Sequence, residues 1–218
     1  MDTEVLLPDC EFHKKPFYEC IKRIFDLVVS LAAIVVLSPV LLVIALAIRL
    51  EDRGPILYCA QRVGRHGKAI TVYKFRSMRM HADRLEDMLT PEELEEYKKN
   101  YKLEHDPRIT KVGAFLRKTS LDELPQLFNI FAGTLSLVGP RPVLQEETEL
   151  YGDKRDLLLS CKPGLTGLWQ VRGRSNVTYE NGRRQALELQ YVSHRSLWLD
   201  IKILFWTVGA VVRMDGAK

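Results

Sequence analysis

Residues 27–48 read LVVSLAAIVVLSPVLLVIALAI, an uninterrupted run without a charged side chain. As one helix it would extend roughly 33 Å, enough to cross a hydrocarbon core of about 30 Å. A single spanning helix is the simple reading. Ser38-Pro39 lies at the centre of the run. Proline removes an amide donor and clashes with the preceding turn, so it kinks or breaks a helix. A serine hydroxyl beside it can satisfy one of the freed carbonyls. Lys14, Lys15, Lys22 and Arg23 precede the run, and Arg49, Arg53, Arg62 and Arg65 follow it. Both flanks therefore meet the positive-inside criterion for the cytoplasmic side. A helix that bends at Ser38-Pro39 and leaves on the face it entered resolves that conflict. A spanning helix with a tolerated proline stays open beside it.

Around this run the chain has 218 residues, enough for one domain with a real core. Its net charge of +4, from 32 basic and 28 acidic side chains, gives no argument for nucleic acid. Cys10, Cys20, Cys59 and Cys161 are scattered without CxxC spacing, which argues against zinc and against a disulfide framework. The apolar run begins after a charged stretch and is longer than a signal-peptide core, so a signal peptide is rejected.

The remaining segments predict an α+β fold, mainly α. Residues 56–63 and 69–76 are β-rich and flank Gly64-Arg65-His66-Gly67-Lys68, which predicts a hairpin. Thr90, Pro91 and Glu93 open a helix over 91–101 with a capping box. Residues 143–151 and 180–192 are further helix candidates. Two apolar stretches, 124–138 and 197–213, suit either core helices or helices lying in the membrane interface.

Asp122-Glu123 is the most informative acidic pair. Ser120-x-x-Glu123 matches a capping box, which would give Glu123 a purely structural role. An Asp at the start of a helix is also expected to stay ionised. The surroundings favour chemistry. Arg117 and Lys118 lie just upstream, Lys74 and Arg76 sit in the second hairpin strand, and Arg141 is in the Gly139-Pro140-Arg141-Pro142 loop. Arg172 and Arg174 flank Gly173. Arginines on separated rigid loops suit a diphosphate. A carboxylate pair among them suits Mg²⁺, which takes one or two carboxylates with phosphate oxygens. It also suits a phosphoryl acceptor. No GxxxxGK[ST], GxGxxG or GxSxG motif is present, and the five histidines lack ligand spacing.

Six motifs stand in a telling order: Lys22-Arg23-x-x-Asp26; Ser38-Pro39; Lys74-Phe75-Arg76-Ser77-Met78; the run from Leu116 to Leu127; Gly139-Pro140-Arg141-Pro142; and Lys162-Pro163-Gly164-Leu165-Thr166-Gly167 through Gly173-Arg174. In this order, over about residues 18–212, the chain resembles the bacterial sugar transferases, the monotopic phosphoglycosyl transferases. The resemblance implies a single domain with an N-terminal extension (1–17), a re-entrant membrane helix (18–53) and a cytosolic and interfacial catalytic part (54–218). It implies transfer of a sugar-1-phosphate, with galactose or glucose as the sugar, from a UDP-sugar to undecaprenyl phosphate. Asp122 would attack, UMP would leave, and the phosphosugar on Asp122 would pass to the lipid. Asp122 and Glu123 would hold Mg²⁺. Lys74, Arg76, Arg117, Arg141, Pro142, Arg172 and Arg174 would bind the sugar nucleotide. Lys22, Arg23, Asp26, Ser38 and Pro39 would form the lipid-phosphate and membrane motif.

The resemblance also implies the cytoplasmic face of the bacterial inner membrane, penetration of one leaflet, and exopolysaccharide synthesis. A homo-oligomer and downstream glycosyltransferases are partner candidates. Against the largest relatives the chain reads as a minimal catalytic version, with an insert around residues 83–104 relative to the smallest. Two rivals remain: a membrane-bound Mg²⁺-dependent phosphohydrolase with water as acceptor, and a non-catalytic membrane adaptor.

Overall fold

The computed structural model describes residues 15–100, 103, 106–173 and 182–212. Helix α1 spans Pro16–Asp52. Pro16 takes a first-turn position, where a missing amide costs nothing. Arg53 ends the helix in the left-handed region (φ 57°). Helical structure continues through Pro39, and the Ser38 hydroxyl donates to the Val35 carbonyl at 2.8 Å. That carbonyl is the one an amide at position 39 would have used. The serine thus repairs the gap the proline makes.

One face of α1 is turned inward. Tyr18, Asp26, Ser30, Ile44 and Ile48 are buried, with Ala33, Leu37, Leu41 and Ala45 partly buried among them. Steps of three and four residues keep these positions on one side of a helix. The first half packs on the main core, which includes Ile130, Leu135, Leu189 and Ile203. The second half packs on a smaller cluster with Phe75 and Leu116. Val28, Val35, Val36, Leu42 and Val43 face outward and are exposed. By length and composition α1 is apolar enough to cross a membrane, and little of its apolar window is buried. An uncovered apolar face of that extent marks contact with lipid or a partner.

The expected hairpin forms. Strand β1, Leu57–Val63, pairs antiparallel with β2, Ala69–Phe75, in the register Leu57 with Phe75 and Val63 with Ala69. Its connection passes through His66 and Gly67 at positive φ, 58° and 75°. Helix α2 is Leu85–Met88 and α3 is Pro91–Asn100. The predicted capping box is present at α3: Thr90 N–H donates to Glu93 Oε2 (2.9 Å), and Glu93 N–H donates to Thr90 Oγ1 (3.3 Å). Helix α4 is Lys111–Thr119, capped by Thr110.

The apolar stretch 124–138 divides in two. Helix α5, Gln126–Ala132, stops at Gly133 in the left-handed region (φ 84°), and strand β3 follows at Ser136–Val138. A reading by hydrophobicity alone has no means of placing that break. Helices α6 (Gln145–Glu149) and α7 (Arg155–Leu158) lead to β4, Gly164–Thr166, which pairs parallel with β3. Gly139 and Gly164 are required by this pairing. A Cβ on Gly164 would lie 2.1 Å from Gly139 N, and one on Gly139 would lie 2.6 Å from Lys162 O. The glycines of both loop motifs therefore serve the close approach of two backbones.

Helices α8 (Leu168–Arg172), α9 (Arg183–His194) and α10 (Leu197–Val212) complete the described chain. Helix α10 is split by face: Ile203 is buried, while Trp198, Phe205 and Val208 are exposed. The architecture is mainly helical, with a two-stranded hairpin, a short parallel pair and one long apolar N-terminal helix.

Candidate active site at the Asp122–Glu123 turn

Asp122 and Glu123 lie in a single 3₁₀ turn, Leu121–Glu123, between α4 and α5. The capping-box reading does not hold. Ser120 sits in the left-handed region (φ 57°) as the C-cap of α4, and its side chain caps nothing. Glu123 is held instead by Lys74, whose Nζ donates to Oε1 at 2.8 Å. Lys74 comes from β2, so the dyad faces the hairpin. Arg117, on the last turn of α4, donates from Nε to Ser77 Oγ at 3.0 Å.

The helix-start dipole expected to favour the ionised form of Asp122 is outweighed. Burial first, and then the neighbouring Glu123 carboxylate, push its carboxyl above the ordinary aspartate range. Lys74 and Arg117 act in the opposite direction without cancelling this. A 3₁₀ turn of three residues has too small a dipole to outweigh desolvation.

Asn129 ties α5, the helix that follows the dyad, to the hairpin. It is buried in α5, donates from Nδ2 to Thr71 O (2.7 Å) and accepts from Tyr73 N–H (2.9 Å). Sequence reading passed over it. Its signal is one amide in the apolar run Leu127-Phe128-Asn129-Ile130-Phe131.

The other cations are distributed. Arg76 is buried and pairs with Asp52, tying β2 to the C-terminal end of α1. Arg141 is exposed beside the half-buried Pro142, its guanidinium 5.6 Å from the Trp169 ring centre. Arg172 stacks on Trp206 at 4.9 Å. Arg174 lies outside the described residues. No described contact joins Arg141 or Arg172 to the dyad. At the start of α1, Lys22 pairs with Asp200 (2.7 Å), and Arg23 donates to Ile130 O and Phe131 O (2.8 and 2.9 Å). Asp26 accepts from Leu137 N–H (3.1 Å). These three fasten α1 to the body. Ser38 and Pro39 lie mid-helix, far along α1 from this group.

The order of these motifs agrees with one family, whose pattern the chain matches over residues 17–214. The chain belongs to the bacterial sugar transferase family. This sugar transferase is 48% identical over 200 residues to the undecaprenyl-phosphate galactose phosphotransferase of Salmonella typhimurium, covering 90% of this chain and 41% of that protein. It is 42% identical over 206 residues to the exopolysaccharide production protein ExoY of Rhizobium meliloti, covering 93% and 90%. With the UDP-glucose:undecaprenyl-phosphate glucose-1-phosphate transferase of Escherichia coli it shares 40% over 195 residues, covering 86% and 39%. The transferase chain thus spans about two fifths of the first and third of these relatives.

Asp200 is the second residue that sequence reading missed. Its carboxylate accepts from Tyr18 (2.8 Å), Lys22 (2.7 Å) and Tyr191 (2.7 Å). Burial first, then the Asp200 charge, hold the Tyr191 hydroxyl well above its usual range, so it remains a donor. A lone acid in the apolar run Leu197-Trp198-Leu199-Asp200-Ile201 was its only trace.

Proposed function

We propose that this transferase moves a hexose-1-phosphate from a UDP-sugar to undecaprenyl phosphate, with Asp122 as the nucleophile. The substrate classes follow the activities for which the galactose and glucose phosphotransferase relatives are named. The observation that carries the site is the Asp122–Glu123 turn, held against Lys74 and Arg117 with Asp122 poised above its usual pKa. Deprotonated Asp122 attacks the phosphorus that bears the sugar. The bond from that phosphorus to the UMP bridging oxygen breaks, and UMP leaves. An oxygen of the lipid phosphate then attacks the same phosphorus and releases the Asp122 carboxylate. Lys74 and Arg117 offset charge that would repel an anionic nucleophile from an anionic diphosphate. Arg141, Pro142, Arg172 and Arg174 are assigned to the sugar nucleotide. Arg76, paired with Asp52, is assigned to holding the hairpin against α1.

Mg²⁺ fits this dyad. Among the described residues no group of three His, Cys, Asp or Glu side chains surrounds a metal position. Two carboxylates suffice where phosphate oxygens complete the coordination. The repulsion that raises Asp122 is also what a divalent cation relieves. Asp122 and Glu123 would hold the ion, which would neutralise diphosphate charge.

A re-entrant α1 on the cytoplasmic face of the inner membrane accompanies this reading. Arg23 anchors one arm on α5, and Asp52 anchors the other on β2. Ser38 with Pro39 supplies the place for a bend between those anchors. The test is turnover in lipid nanodiscs with Mg²⁺, UDP-sugars and undecaprenyl phosphate. UMP and a lipid-linked diphosphosugar are expected, with both lost in Asp122→Asn. Silence across a panel of UDP-sugars, or full activity in that variant, would overturn the assignment.

A further inference from the structure

Arg141 stands exposed in the Gly139-Pro140-Arg141-Pro142 loop. An exposed arginine side chain has many rotamers of similar energy, and a ligand that needs one of them must order it. The backbone beneath it is already held. Gly139 N–H donates to Thr166 O (2.9 Å), Gly164 N–H donates to Pro140 O (2.8 Å), and Val63 N–H donates to Val143 O (2.9 Å). The loop therefore fixes where the Arg141 side chain starts and leaves its direction to be set by another group.

The indole of Trp169 lies beside that side chain, with the ring centre 5.6 Å from the guanidinium carbon. This is within the range of cation–π attraction. Trp169 is half-buried in α8, and its surroundings fix it. A Cβ on Gly173 would lie 2.8 Å from Trp169 Cδ1, so the glycine lets the chain close on the edge of the ring. A Cβ on Gly167, just before α8, would lie 2.2 Å from Gly139 O. The start of α8 is thus pressed against the loop that carries Arg141.

A second guanidinium holds the same ring from inside. Arg184 on α9 is 7% exposed and lies 4.4 Å from the Trp169 ring centre. Its Nε is 3.7 Å from Glu188 Oε1, and Glu188 Oε2 accepts from the buried Tyr151 hydroxyl at 2.8 Å. Burial pushes the Glu188 carboxyl up, while Arg184, then Tyr151, then Arg141 act in the opposite direction. Glu188 answers the charge of Arg184, so two guanidiniums can share one indole. The buried one anchors the ring, and the ring offers its π-surface to the exposed one.

From this arrangement we infer that Trp169 is a positioning residue, which binds no phosphate itself but aims the Arg141 guanidinium at the sugar nucleotide. The inference rests on the assignment of Arg141 to the sugar nucleotide made above. Trp169 Nε1 has no hydrogen-bond partner among the described residues, so the ring acts through its π-system, and a phenyl ring should replace most of its effect.

Calorimetric titration of UDP-galactose and UDP-glucose into the full chain in lipid nanodiscs tests this, in an Asp122→Asn background that prevents turnover. Trp169→Leu should weaken binding about fivefold, the size of one exposed cation–π contact. Trp169→Phe should recover most of that loss. Arg141→Met should weaken binding about tenfold or more, and adding Trp169→Leu to it should cost nothing further. A ring that merely supports α8 would give losses that multiply in the double variant. Fluorinated tryptophan keeps the shape of the ring and drains its negative face, so binding should fall stepwise with the number of fluorines without disturbing the fold. Parental affinity in Trp169→Leu, affinity indifferent to fluorination, or a further loss in the double variant would overturn the inference. Binding that weakens in Arg141→Met yet ignores Trp169 contradicts this inference alone. Parental affinity in Arg141→Met contradicts the assignment of Arg141 as well, and no binding of either UDP-sugar before any change at Arg141 or Trp169 contradicts the substrate reading and this inference together.

Discussion

Replacing Asp200 with Asn should loosen the start of α1 from the rest of the protein. Asp200 is 5% exposed and accepts three hydrogen bonds, one of them from an ammonium whose side chain is 15% exposed. Asparagine keeps nearly the same shape and removes the charge. Lys22 would then share the lining of one cleft with Arg23, Arg65, Lys162 and Arg195 without its counter-ion. Breaking one half of a buried, hydrogen-bonded pair costs about 3–5 kcal/mol. The tyrosine hydroxyls can turn to the new amide, so the lower end, about 3 kcal/mol, is expected. For a chain of this size each kcal/mol lowers the thermal midpoint by about 2–4 °C, so the loss is about 6–12 °C. Lys22→Met should cost a similar amount by stranding Asp200. The double variant should be less damaged than the sum of the two, with a coupling of about 2 kcal/mol. Thermal melts of the four proteins in one detergent measure it. Additive losses, or a single-variant loss below about 1 kcal/mol, would refute the idea that this pair clamps α1 to α10.

Other consequences concern the dyad, the helix and one glycine. UMP release without acceptor should fall on acidification, because Asp122 attacks as a carboxylate. Its raised pKa puts that acid limb above the ordinary aspartate range, and Lys74→Met, which removes a lowering influence, should move the limb higher still; a pH–rate profile reads both. Pro39→Ala restores the amide that the Val35 carbonyl lacks and should straighten α1. Cysteines placed at Phe17 and Arg53 should label from one side of the membrane in the parent, with a fraction moving to opposite sides in the variant. Gly113→Ala would put a Cβ 2.0 Å from Ser77 O, so α4 must shift. The expected loss is about 2 kcal/mol, with weaker Arg117–Ser77 contact and slower turnover.

Local features of this chain were readable without coordinates, because local forces set them. The uncharged run at 27–48 could only be a helix facing lipid or core. The runs around Gly64–Lys68 pair as the expected hairpin, and Thr90 with Glu93 caps α3 as expected. The order of the motifs was enough to name the family. What the tertiary structure decided is which charges meet. Glu123 turned from a would-be helix cap to Lys74 because Ser120 adopts a left-handed conformation that no sequence rule required. Arg76, expected beside the sugar nucleotide, pairs with Asp52, a residue that follows the apolar run and comes back to the hairpin only once α1 packs on Phe75 and Leu116. The carboxyl of Asp122 is pushed up where a helix start would hold it down, because burial in a three-residue turn outweighs so short a dipole. Lys22, Arg23 and Asp26 became a clamp only after Asp200, Ile130 and Leu137 arrived from distant parts of the chain. Side-chain periodicity is written in neighbouring residues, while electrostatic partnership depends on distances that close only when distant segments pack.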